Sequence, residues 1–207
     1  MSVSFPLKTN FEREIESLLN VLGSVVVDRA AVYVSTPITS GRRFVDWSRR
    51  RNLKTDLSHP ETHQEFVREV LVPNNEHARK IIGQMRRRFA QPLIDPTALK
   101  DMEGWVQDDY RVLWARVIEE YAGSVVFLDG WQYSNGCAYE FLIAHRLDPQ
   151  PSILNEVLAS LKLEEGMRLV ESAILELQSS KLSSEFLREV LNELMKLHES
   201  EEVLTEV

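Results

Sequence analysis

Two apolar runs of strand length, AAVYVS at residues 30–35 and SVVFLD at residues 124–129, constrain this chain more than any other feature. Both are rich in β-branched and aromatic residues. The first ends at Pro37 and reads as a buried strand leading into a loop; the second runs into a Gly-punctuated turn. The segments around them have helical period. Phe11, Ile15, Leu18 or Leu19, and Leu22 form one stripe that Gly23 stops, and Trp105, Tyr110, Leu113 or Trp114, Val117 and Tyr121 form another. From Glu61 to Phe89 the pattern is again helical, with Pro73 and two Asn residues in VPNN predicting that one helix ends and a second begins. QPLIDPTAL reads as a short strand closed by Pro96. Strands alternating with helices predict an α/β fold with a doubly wound, mostly parallel sheet.

With 207 residues, 43% of them apolar, the chain can hold one domain with a sizeable core and an appendage. DPQP, Asp148 to Pro151, reads as the boundary between a domain at 1–150, with a helical insertion at about 52–89, and an appendage at 151–207. The appendage repeats a 3-4-3 apolar spacing at Met167, Val170, Ile174 and Leu177, and again at Leu187, Val190, Leu194 and Leu197, which predicts a helical hairpin. It holds 5 Lys and Arg against 12 Asp and Glu, so most of the net charge of −8 belongs to it. The N-terminus lacks the basic flank and apolar stretch of a leader, and no run reaches bilayer length; the expectation is a cytoplasmic protein with no membrane partner. The overall sign argues against a nucleic acid polymer. The single cysteine, Cys137, excludes an intrachain disulfide and a multi-Cys zinc site, and His59 with His63 straddles Pro60, so no metal is expected. The absence of G-x-G-x-x-G and P-loop patterns argues against dinucleotide and ATP cofactors.

In open parallel sheets ligands bind at the carboxyl ends of strands. That rule selects two loops, STPITSGRR after the first strand and DGWQYSNG after the later one. The first offers Ser35, Pro37, Gly41, Arg42 and Arg43; the second offers Asp129, Trp131, Ser134, Asn135 and Gly136. Ser134, Asn135 and Gly136 predict a helix N-terminus, with Glu140 about one turn inside it. The positive end of that helix favours an ionised carboxylate, either as a stabilising helix acid or as a nucleophile toward a carbon that develops positive charge. Trp131, Tyr133 and the TPIT turn are candidates to pack a base or sugar, or to pack the core or its rim.

YVSTPIT, LIDPTAL, QDDY and VVFLDGWQYSNGCAYEFLIA, in that order over residues 29–146, resemble the nucleoside 2-deoxyribosyltransferase-like superfamily, with its Y-x-x-G/S-P, N/D-P and D/S-x-G-x-x-x-E pattern. The resemblance implies a flavodoxin-like or Rossmann-like sheet. It implies that Glu140 attacks C1 of a ribose or deoxyribose, that Tyr33 orients it, that Asp109 or Asp108 assists the leaving base, and that no cofactor is needed. Ser134 stands where the transferase branch has an Asp for the sugar 5′-hydroxyl, and so looks like the 5′-monophosphate N-glycosidase branch. Physically, an Asp there would repel a phosphate, whereas Ser134, helix-start amides and Arg42 or Arg43 would attract one. The expected ligand is therefore a small nucleotide or nucleoside, and the expected assembly a homodimer. The alternative is a nucleotide-sensing or scaffolding module that uses its acidic tail for partner contacts.

Overall fold

The computed structural model describes residues 10–27, 29–52 and 54–205. Residues 1–9, part of the segment read above as lacking a leader, lie outside it. Four parallel strands, β1 (Ala31–Ser35), β2 (Leu93–Ile94), β3 (Ala122–Phe127) and β4 (Ser152–Asn155), form one sheet in the order β2-β1-β3-β4. The helices are α1 (Asn10–Gly23), α2 (Gly41–Arg50), α3 (Pro60–Phe66), α4 (Val72–Met85), α5 (Gln107–Tyr121), α6 (Asn135–Arg146), α7 (Leu163–Ser179) and α8 (Glu185–Thr205). The protein is thus α/β with an all-parallel sheet.

The continuity of the apolar runs has a direct cause. Successive strand side chains point to opposite faces, and helices cover both faces here. Tyr33, Val125, Phe127 and Ile153 belong to the larger core with Ile15, Leu113, Phe141, Val170 and Leu187, from α1, α5, α6, α7 and α8. Val32, Val34, Val126 and Leu128 point the other way, onto Ala78, Ile82 and Met85 of α4. Every position of β1 is buried in consequence. Burying one Val or Phe in this way contributes about 1.5–3 kcal/mol relative to exposure.

Three expectations are corrected. The chain does not divide at Asp148–Pro151: β4, just beyond, pairs with β3 through Val125↔Ile153, and the α7–α8 hairpin shares the main core. The residues at 52–89 are not an insertion but the crossover between β1 and β2, and α4 within them is what covers the second face. Pro73 does not separate two helices. It lacks an N–H and its ring crowds the carbonyl of Glu69; the chain widens into a π-helical turn, Val67–Leu71, and the helix continues from Pro60 to Met85. Among the described residues no helix is long and apolar enough to cross a membrane.

The strand order carries the functional geometry. From β1 the chain moves to one side to make β2, then returns to the other side for β3 and β4. The crevice between the carboxyl ends of β1 and β3 is therefore the switch point at which open α/β sheets receive ligands.

Candidate functional site

Tyr33 and Ser35 are two apart on β1 and so share a face. Glu140 lies opposite them on α6. The Tyr33 hydroxyl donates to Glu140 Oε1 at 2.8 Å and the Ser35 hydroxyl donates to Oε2 at 2.6 Å. Both oxygens of one carboxylate are thus held by β1, and only 7% of Glu140 is exposed. Ser134 is the N-cap of α6 as its position suggests, its Oγ accepting from the Cys137 amide at 3.4 Å. The Cys137 side chain lies in the same cluster and is buried.

Electrostatics alters the sequence reading of Glu140. Burial pushes its carboxyl up from 4.5 to about 7, against the lowering effect of the Ser35 and Tyr33 hydrogen bonds. At neutral pH it is therefore roughly half protonated, not the fully ionised acid expected. The reason is position: Glu140 is the sixth residue of α6, beyond the first turn where free amides favour a negative charge. Burial, then the Glu140 charge, raises the Tyr33 phenol well above its usual range, so Tyr33 remains a neutral donor. Burial and the Glu140 charge push Cys137 up to about 12, which makes it a packed thiol rather than a nucleophile.

The loops after β1 and β3 interlock over this cluster. Gly41 (φ 80°) and Gly130 (φ 81°) adopt left-handed backbone, and a methyl on Gly41 would meet Pro37 Cβ at 3.0 Å while one on Gly130 would lie 3.2 Å from the Arg42 nitrogen. Asn74 of α4 braces the first loop, donating to the carbonyls of Ile38 and Ser40. Asn135 is exposed at the start of α6, and a methyl built on Gly136 would meet only Ser134 Oγ, at 3.9 Å. The helix start thus presents an open face beside the buried carboxylate.

The remaining candidates are distributed as follows. Arg42 is engaged by Glu176 of α7 at 2.7 Å and by the Tyr133 hydroxyl at 2.8 Å. Arg43 is hydrogen-bonded to Asn74 Oδ1 at 3.2 Å and makes no ion pair among the described residues. Trp131 is not a substrate platform: it is 3% exposed and packs on Phe127 and Phe141, at 5.1 and 4.7 Å between ring centres, because the left-handed turn at Gly130 aims it inward. Asp129 is exposed, and its backbone N–H donates to Glu156 at 2.9 Å. Asp109 accepts from the Val106 N–H at 2.7 Å at the start of α5, and Asp108 pairs with Arg111. Neither aspartate hydrogen-bonds Tyr33, Ser35 or Glu140 among the described residues.

Asp95 carried no assigned role in the sequence, although LIDPTAL contains it. It ends β2 beside Tyr33, whose register partner is Ile94, and its charge contributes to raising the Tyr33 phenol. An open depression of about 580 Å³ lined by Asp95, Thr97, Lys100 and Arg79 lies over this end of β2. It adjoins the Tyr33 side of the crevice but does not include Glu140. The hydrogen-bonded carboxylate, not this depression, is the better marker of chemistry, because a buried acid held by two hydroxyls costs stability that packing alone does not require. Glu176 is the second residue the sequence did not mark. Among the described residues no group of three or more His, Cys, Asp or Glu could hold a metal ion. No family model matches this chain, and no curated protein or solved structure does.

Proposed function

We propose that the protein cleaves the N-glycosidic bond of a nucleoside 5′-monophosphate, with Glu140 as nucleophile. The observation that carries this reading is the pair of hydroxyls, Tyr33 and Ser35, that fixes both oxygens of a buried carboxylate at the sheet's switch point. A Glu140 oxygen attacks C1′, the C1′–N bond breaks with its electron pair leaving on the base, and the base takes up a proton. Water, or a second base, then attacks C1′ and releases the carboxylate, as in retaining glycoside chemistry. The resemblance to the nucleoside 2-deoxyribosyltransferase-like superfamily supports the same assignment. The β2-β1-β3-β4 order with helices on both faces supports the flavodoxin-like or Rossmann-like form of its fold. Asp95, just beyond β2 and beside Tyr33, joins Asp108 and Asp109 as a candidate to serve the leaving base; Thr97 holds its Oδ1 through its N–H and hydroxyl, as the start of α5 holds Asp109.

The test is a chromatographic screen for free base released from purine and pyrimidine ribo- and deoxyribonucleotides. Release that disappears in Glu140→Ala supports the reading; no release from any of them overturns it. One observation favours a second reading, a nucleotide-binding module without turnover: Glu140 exposes only 7% of its surface. That reading expects thermal stabilisation by a nucleotide with no product formed.

A further inference from the structure

Glu176 sits on the tail hairpin, far from the site in sequence, yet it closes on the site's rim. Its Oε2 accepts from Arg42 Nη1 at 2.7 Å and from the Tyr133 hydroxyl, and its Oε1 pairs with Arg49 Nη1 at 2.8 Å. Arg42 and Arg49 are seven apart on α2, two turns along one face. Tyr133 immediately precedes Ser134, and the Arg42 backbone packs on Gly130 of the same loop. Two guanidinium groups and a phenol thus converge on one carboxylate beside the mouth of the candidate site. Tyr133 and the arginines hold that carboxyl below its usual range, so it is charged at neutral pH.

We infer that Glu176 is an internal occupant of an anion subsite and that a ligand's phosphate competes with it for Arg42, Arg49 and Tyr133. A guanidinium fork accepts carboxylate and phosphate in the same geometry, and a phosphate dianion brings more charge. The incumbent is open to solvent rather than sealed: the Arg42 and Glu176 side chains are 50% and 20% exposed, and each single ion pair this open is worth about 1 kcal/mol or less. Asp46, at 3.5 Å from Arg42 and 3.9 Å from Arg49, is a lesser competitor on the same helix. Glu176 therefore sets how well the rim takes a phosphate and links that event to the tail hairpin. The identity of the ligand's anionic group rests on the nucleotide reading above, but the competition does not depend on turnover.

The experiment titrates inorganic phosphate and ribose 5-phosphate, with ribose as the uncharged control, into wild type and Glu176→Gln by calorimetry at matched ionic strength. The amide keeps the size of the side chain and a hydrogen-bond acceptor, so the helix contact survives. The expected result is about fivefold tighter binding of both phosphates in Glu176→Gln, the factor equivalent to about 1 kcal/mol, with ribose unaffected. Adding Arg42→Gln to that variant cancels the gain. Glu193→Gln, on α8, removes the same charge from pairs with Arg146 of α6 and Lys196 of α8 and gives no gain. Unchanged affinity in Glu176→Gln, an equal gain in Glu193→Gln, or a gain that survives Arg42→Gln overturns the inference. If phosphate binds as expected while the base-release screen is blank, the subsite stands and the glycosidase reading falls.

Discussion

The ionisation of Glu140 predicts a stability effect opposite to that of most substitutions at a buried hydrogen-bonded residue. Its folded-state value, about 7, lies above the 4.5 of the free side chain. The folded protein therefore binds that proton more tightly than the unfolded chain. Stability from the bound proton is full below about pH 4.5 and is lost as pH rises through about 7, a difference of about 3 kcal/mol. Glu140→Gln cannot ionise, keeps the size of the side chain and can still accept from Ser35 or Tyr33. The expected gap between the variant and wild type grows from near zero at about pH 4 to about 3 kcal/mol in the variant's favour at about pH 8. For a chain of this size that is about 6–12 °C in Tm. Thermal and urea unfolding of both proteins across that interval measure it. A gap that does not change with pH, or a wild type that gains on the variant as pH rises, refutes the reasoning, because the two hydroxyls would then outweigh burial and keep the carboxylate charged. The variant is also expected to release no base, which would place the cost of the buried carboxylate with function rather than with folding.

Tyr33→Phe removes the donor to Oε1 and is expected to lower kcat about a hundredfold with little change in KM, by loosening the nucleophile. It also removes one of the two hydrogen bonds that hold the Glu140 carboxyl down, so the acid limb of the pH–rate profile moves to higher pH, a shift that a purely structural tyrosine would not cause. Gly166→Ala places a methyl 2.1 Å from Phe141 Cζ; Phe141 is fixed among Phe127, Trp131 and His145, so overpacking is expected to cost about 1–3 kcal/mol, read as a lower urea midpoint at unchanged m.

Where a segment's own pattern decides its structure, the sequence was sufficient. The stripe ending at Gly23, the two 3-4-3 repeats and the apolar runs around Tyr33 and Val125 all became the elements expected of them. The loop after β3 pointed to Ser134 and to Glu140 beyond it, and the family resemblance pointed to Tyr33; Ser134 is the N-cap of α6, and Tyr33 and Glu140 meet. What failed depended on neighbours remote in sequence. β4 is only four residues of SILN between Pro151 and a turn, and nothing local distinguishes it from a linker until β3 is there to pair with it. Trp131 could have faced outward; the Phe127–Phe141 pair that receives it comes from a strand and a helix on either side of the turn. The protonation of Glu140 is a property of its enclosure, and helix position alone gave the wrong sign. Glu176 was invisible because its partners lie on α2 and the Tyr133 turn, well over a hundred residues from it in the case of the arginines. Pro73 misled for a different reason: a lost hydrogen bond can be absorbed by a wider turn where both flanking helices are anchored by packing.

The sheet's two margins have a consequence for assembly. β2 is two residues long, flanked by Pro92 and Pro96, and offers almost no ladder to a neighbour. At the other margin the chain doubles back on β4, with the Leu161 N–H on the Ile153 carbonyl and the Asn155 N–H on the Ala159 carbonyl, so its outer hydrogen-bonding groups are already taken. Neither margin is available for strand addition. Among the described residues, self-association would therefore join helical surfaces rather than extend the sheet.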